Sequence, residues 1–144
     1  MESEKSEVKG RQKKRILLVE DDADLLDFLM EKLQGSGYEV ITASDGLQGW
    51  EKATQEELDL IVTDIAMPRM NGYTMLQMIR EKKSLKKTPV IIISGVKEEY
   101  GRKDSWQGQF DINHFLLKPF EPEELLNKID ELLCNDDVQE DSAA

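Results

Sequence analysis

The stretch DLIVTDIAMPRMNG, residues 59–72, decides the fold. It opens on a continuous apolar run, Leu60–Val62, reaches Asp64, and breaks into a loop holding Pro68, Asn71 and Gly72. A strand with one wet face alternates apolar and polar residues. A continuous run marks a strand buried on both faces, as in a parallel sheet covered by helices. Ile16–Val19, Val90–Ile93 and Phe115–Leu117 have the same character. Glu39–Ala43 makes a fifth, weaker strand after the break at Gly35 and Gly37.

Helical stripes lie between these runs. Leu25, Leu26, Leu29 and Leu33 form one, Leu47, Trp50 and Ala53 another, and Met75, Leu76 and Ile79 a third. Leu125, Leu126, Ile129, Leu132 and Leu133 form the last and clearest. Between Ser94 and His114, the glycines Gly95, Gly101 and Gly108 predict a short or irregular helix. Strand and helix alternate, and each connection is long enough for a parallel crossover. The pattern predicts an α/β protein: a doubly wound, five-stranded parallel sheet with helices on both faces.

Bulk composition narrows the function. A chain of 144 residues suits one domain, expected over residues 15–134. A basic tail (residues 1–14) and an acidic tail (residues 135–144) are expected to be loose. The net charge of −11 argues against a direct nucleic-acid partner. No apolar run approaches the length of a membrane span, and none follows the basic N-terminal residues as a secretory signal requires. The single cysteine, Cys134, cannot form an internal disulfide, which fits a reducing, cytoplasmic setting.

In doubly wound sheets, ligands sit at the carboxyl ends of the strands. Glu20, Asp21 and Asp22 follow the first strand, Asp64 ends the third, Ser94 the fourth and Lys118 the fifth. The acidic run alone reads equally well as a solvated turn. With the other strand ends it reads as a site. Clustered carboxylates repel, and a bound cation resolves the repulsion. Hard oxygen ligands without Cys or His favour Mg²⁺ or Ca²⁺ over zinc, and Mg²⁺ leaves room for a phosphate oxygen. A carboxylate can also attack phosphorus to form an aspartyl phosphate, with metal and lysine offsetting the charge.

Four segments, ILLVEDD (residues 16–22), DLIVTDIAMPRMNG (59–72), PVIIISG (89–95) and LLKPF (116–120), resemble the receiver domain family of two-component systems. The resemblance runs from about Arg15 to Leu133. It implies the strand order 2-1-3-4-5, Asp64 as phosphoacceptor and Mg²⁺ as cofactor. Asp21 would ligate the metal directly, Glu20 would join the pocket, often through water, and the Ala66 backbone carbonyl would add a ligand. It further implies that Lys118 contacts the phosphoryl group, that Ser94 is the switch hydroxyl, and that Phe115 is the aromatic switch residue. A cis bond before Pro119 is expected on the same ground. The implied donor is a sensor histidine kinase or a histidine phosphotransfer protein, with a downstream protein as receiver of the signal. The chain is expected to be a monomer or a phosphorylation-dependent dimer, and a signalling domain rather than an enzyme with turnover.

The chain departs from the family's pattern in places. Asp111-Ile112 stands where Gly-Ala is common, and residues 101–110 match poorly. Ser94 replaces the commoner Thr and Phe115 the commoner Tyr. A degenerate receiver that no longer takes phosphate is disfavoured because all the chemical residues are present, and two other chemistries share parts of the pattern. A haloacid-dehalogenase-type phosphatase needs a second Asp two residues after the first, where this chain has Ala66. A flavin-binding module needs a Ser/Thr/Gly-rich loop after the first strand, where this chain has Glu20-Asp21-Asp22. The single histidine, His114, reads as a strand-edge or surface residue. Trp50 and the group Met67, Met70, Met75 and Met78 read as packing, Cys134 as a small apolar residue, and Trp106 is undecided.

Overall fold

The computed structural model describes residues 13–67, 69–95 and 103–143, with side chains described outside residues 103–106 and 134–143. The elements, in chain order, are β1 (Arg15–Val19), α1 (Ala23–Gly35), β2 (Glu39–Ala43), α2 (Gly46–Gln55) and β3 (Leu60–Asp64). They continue with α3 (Gly72–Glu81), a 3₁₀ turn (Lys83–Leu85), β4 (Val90–Ser94), α4 (Lys103–Phe110), β5 (His114–Leu117) and α5 (Pro122–Ala143). All five strands pair in parallel in the order β2-β1-β3-β4-β5. The expected fold class is therefore observed.

The continuous apolar runs follow from helices on both faces. In β1, Leu17 and Val19 join an apolar cluster with Met75, Leu76 and Ile79 of α3. Ile16 and Leu18 point the other way, onto Leu29 and Leu33 of α1 and Leu125 and Ile129 of α5. β3 and β4 divide in the same manner, with Ile61 and Ile92 on one side and Val62, Ile91 and Ile93 on the other. Trp50 and Met70 pack against the first cluster, and Met67 and Met75 are buried in it. Each fully buried Leu or Ile contributes about 1.5–3 kcal/mol relative to exposure.

α1, α2 and α3 start beyond the tips of β1, β2 and β3, each with a side-chain cap. Asp22 accepts from the Asp24 and Leu25 N–H groups, Asp45 from Gln48, and Asn71 from Thr74. An oxygen at the N-cap satisfies donors that the helix itself leaves without partners. All three caps lie just past the carboxyl ends of strands, and that edge is thereby well ordered for a site.

α4 is a helix of 8 residues, short as expected. Its C-terminal end is fastened to α3. The Arg80 guanidinium donates to the carbonyls of Phe110 (2.7 Å) and Asp111 (3.1 Å), and to those of Leu85, the last residue of the 3₁₀ turn, and Lys86 after it. The Tyr73 ring meets Phe110 edge-on at 5.0 Å, and Gln109 Nε2 donates to the Tyr73 hydroxyl. Residues 96–102 and the Trp106 and Cys134 side chains lie outside the described residues. His114 opens the edge strand β5, with Nε2 3.1 Å from Glu131 Oε1. Burial and nearby Lys128 lower its pKa against the pull of Glu131. The backbone of α5 runs to Ala143, past residue 135 where the sequence places the start of a loose tail. No Gly or Pro interrupts the helix between Glu123 and Ala143.

Gly72, the first residue of α3, holds the loop after β3 against the sheet. A Cβ there would fall 2.4 Å from the Asp64 carbonyl oxygen and 2.9 Å from the Ile65 Cα, both backbone atoms that cannot swing aside. Gly72→Ala is expected to destabilise the fold by about 1–3 kcal/mol, as overpacking does. Urea denaturation measures this; an unchanged midpoint would show that the loop yields.

Candidate functional site

The site is built from four strand ends at one edge of the sheet. β1 delivers Glu20 and Asp21, β3 delivers Asp64, β4 ends on Ser94, and the turn after β5 begins with Lys118. The crevice lies where the winding reverses, since β1 sits between β2 and β3.

Glu20 and Asp64 are buried, with 1% and 6% exposure, although both are acids. Lys118 reconciles this. Its Nζ lies 2.9 Å from Glu20 Oε1 and 2.9 Å from Asp64 Oδ2. Main-chain donors hold the other two oxygens. The Asp22 N–H donates to Glu20 Oε2 at 3.0 Å, and the Ile65 N–H donates to Asp64 Oδ1 at 2.6 Å. Burial pushes the Glu20 carboxyl up from its ordinary 4.5, and the Asp64 charge adds to this. The Lys118 and Asp22 hydrogen bonds oppose the rise without cancelling it. For Lys118, burial lowers the pKa, but the bonds and charges of Glu20 and Asp64 outweigh it, so the pKa is raised and the ammonium persists.

Asp21 is exposed at the rim. One carboxylate oxygen each from Glu20, Asp21 and Asp64 lies within 4.8 Å of the others, an arrangement that could hold a metal ion. The donors are all carboxylate oxygens, which fits a hard cation. Asp22 belongs to the same acidic run but is spent on the cap of α1. Ala66 is exposed two residues beyond Asp64, on the loop between two buried neighbours, Ile65 and Met67. Ser94 is fully buried, and its carbonyl accepts from the Lys118 N–H at 2.7 Å. The Lys118–Pro119 bond is cis, as expected.

Phe115 pairs in register with Ile92, two residues before Ser94 on β4, and so lies diagonal to Ser94 on one face of the sheet. As the switch residue it is expected to move between an outward and an inward rotamer, the inward one sampled appreciably even without phosphorylation. The ring is already inward, with 7% exposure, in one cluster with Phe110 and Ile112. Without a hydroxyl it needs no polar partner there.

Sequence reasoning missed two residues beside the site. Asp45 is a buried cap, and Arg69 pairs with it at 3.3 Å. An Asp-Gly pair between a strand and an apolar stripe marked the cap. Nothing in the spacing marked the ion pair.

A parallel five-stranded sheet with an acid-and-lysine pocket at its switch point is the architecture of a receiver domain. Residues 16–130 match the response regulator receiver domain, and the chain belongs to that family, the receivers of two-component systems. Among curated relatives, it is 32% identical over 126 residues to the alkaline phosphatase synthesis transcriptional regulatory protein PhoP of Bacillus subtilis, covering 87% of this chain and 50% of that one. It is 37% identical over 130 residues to the probable transcriptional regulator ycf29 of Pyropia yezoensis, covering 89% and 57%. The chain thus spans about half the length of these relatives. Among solved structures, it superposes on the chemotaxis response regulator CheY4 of Vibrio cholerae with a TM-score of 0.77 and 29% identity, covering 85% of this chain and 100% of that one. For the response regulator TrrA of Thermotoga maritima, solved with Mg²⁺ and BeF, the TM-score is 0.73 and the identity 32%, covering 83% and 99%.

Burial sets the pH behaviour of Glu20, and Lys118 restrains it. A carboxyl whose pKa is raised on folding binds protons more readily folded than unfolded. Its contribution to stability therefore falls as pH rises from its ordinary 4.5 through the folded value. Lys118→Met removes a hydrogen bond that restrains the rise for Glu20. The substitution is expected to cost less near pH 4 than at pH 7, where it costs about 1–3 kcal/mol because the Glu20 carboxylate is left without its cation. Denaturation at both pH values checks this; an equal cost at both would contradict the charge account.

Proposed function

We propose that this chain takes a phosphoryl group onto Asp64 from a phosphohistidine donor, with Mg²⁺ bound, and passes the signal on through a change of surface. The observation that carries the reading is the buried Asp64 carboxylate, held by Lys118 Nζ and the Ile65 N–H beside Glu20 and Asp21. Family membership supports it.

In this reading a carboxylate oxygen of Asp64 attacks phosphorus. An O–P bond forms and the P–N bond of the donor breaks. The electron pair leaves with the imidazole, which takes up a proton. Glu20, Asp21, Asp64 and the Ala66 carbonyl would hold Mg²⁺, which when bound neutralises charge on the transferring group. Lys118 supplies the second positive contact. Its ammonium follows the negative charge outward, from the carboxylate to the phosphoryl oxygens. Ser94 closes onto a phosphoryl oxygen from the neighbouring strand end.

The Ser94–Phe115 diagonal carries the change to the surface. Because Phe115 is inward before phosphorylation, the modification shifts a population already present rather than creating a state. The faces that respond are those of α4, β5 and α5, where a downstream protein would dock. The donor would be a sensor histidine kinase or a histidine phosphotransfer protein. Among the described residues no helix is long and apolar enough to cross a membrane, and the reading places the chain in the cytoplasm. It is a signalling domain whose only chemistry is on itself.

Acetyl phosphate with Mg²⁺ is expected to add one phosphoryl group to the chain, read by intact-mass spectrometry. Chelating the metal should slow the reaction severely, and Asp64→Asn should abolish it. An unmodified wild type, or a mutant modified to the same extent, would overturn the assignment.

A further inference from the structure

The loop after β3 is fastened to a neighbouring helix by an ion pair that the phosphoacceptor reading does not use. Asp45, the cap of α2, keeps only 7% of its side chain exposed. Its Oδ1 accepts from the Gln48 N–H at 2.8 Å, which completes the cap. Its Oδ2 is left for a second partner, and Arg69 Nε reaches it at 3.3 Å. The next residue on each side confirms how closely the two segments meet. A Cβ on Gly46 would fall 1.8 Å from the Met70 carbonyl oxygen, so only glycine admits this approach.

Arg69 makes the contact from a strained conformation. Its φ is +67°, in the left-handed region that side chains rarely adopt. Glycine would take that φ without strain. The arginine side chain is 55% exposed, so it is not there as core packing. What its side chain adds is the bond to Asp45.

The loop so fastened begins at Asp64 and contains Ala66. The Gly72 N–H donates to the Ile65 carbonyl at 2.7 Å and closes the loop at its base. Ile65 and Met67 are buried, and Ala66 between them is exposed. The main chain at Ala66 is therefore set by anchors on both sides, with the Arg69 and Met70 contacts to α2 as the outer one.

We propose that the Asp45–Arg69 ion pair is a positioning device for the metal site, holding the loop after β3 from its Arg69 end so that the Ala66 carbonyl is set as a ligand. This rests on the Mg²⁺ reading given above. Neither residue touches the metal; each acts through the loop. The attraction spans two loops at the carboxyl edge, one following β2 and one following β3. A carbonyl ligand must stay within a few tenths of an ångström of its place to serve a small, rigid cation.

The test is Mg²⁺ titration by calorimetry on the full chain. Two substitutions separate positioning from folding. Asp45→Ser keeps a capping oxygen and loses the charge. Arg69→Gly keeps the left-handed φ and loses the side chain; relief of backbone strain opposes the loss of the Asp45 partner, and a metal-free melt run beside the titration confirms that the variant is folded. Each should weaken Mg²⁺ binding about tenfold, the low end for residues that orient metal ligands. The double variant should bind no more weakly than the weaker single, because both remove one interaction. Arg69→Lys should recover most of the affinity. The maximal rate of phosphorylation by acetyl phosphate at saturating Mg²⁺ should stay near that of the wild type. Wild-type affinity in Arg69→Gly, or losses that multiply in the double variant, would overturn the proposal while leaving the metal reading intact. A wild type that binds no Mg²⁺ would overturn both. Should Asp45→Ser fail to fold, Arg69→Gly with its lysine counterpart decides the question alone.

Discussion

The site depends on one ammonium group shared between two buried acids. Lys118 Nζ stands 2.9 Å from Glu20 and 2.9 Å from Asp64, and neither acid is more than 6% exposed. Burying a carboxylate without a partner is costly, and two side by side cost more. The lysine makes the pocket tolerable without making it neutral. Two carboxylates and one ammonium leave a net negative charge, and Asp21 at the rim adds to it. Such a pocket has room for further positive charge. That is the physical ground for expecting a cation there, and for expecting the lysine to move when a phosphoryl group changes where the charge lies.

The sheet explains why these residues meet at all. Glu20 and Lys118 are far apart in the chain, with β2, β3, β4 and β5 between them. A parallel sheet brings every carboxyl end to one edge, so β1, β3, β4 and β5 each add to the site without having to bend. The caps Asp22, Asp45 and Asn71 then turn the chain into helices at that edge. The same loops therefore start the helices and line the pocket, and a change in one is felt in the other.

The strands and the site were legible in the sequence for this reason. Apolar runs located the strands, their ends located Glu20, Asp64, Ser94 and Lys118, and topology did the rest. What stayed hidden depends on side-chain direction. Asp21 and Asp22 are adjacent acids, yet one faces the pocket and the other caps α1. No spacing rule separates those roles. How fully Phe115 is buried was not legible because its neighbours Phe110 and Ile112 lie in the segment whose pattern was weakest. Arg80 was passed over because its partners are backbone carbonyls, which carry no sequence signal. Asp45 and Arg69 meet only because α2 and α3 pack side by side.

The central claim is that one pocket, formed by Glu20, Asp21, Asp64 and Lys118, takes both the cation and the phosphoryl group, with Lys118 exchanging one partner for another. A crystal structure of the chain with Mg²⁺ and beryllofluoride tests it most directly. The account predicts beryllofluoride on an Asp64 oxygen and the metal among Glu20, Asp21, Asp64 and the Ala66 carbonyl. It also predicts Lys118 Nζ and Ser94 Oγ within hydrogen-bond distance of fluorine atoms. A structure in which Lys118 still bridges Glu20 and Asp64 while beryllofluoride is bound, or in which the metal sits on other residues, would contradict it.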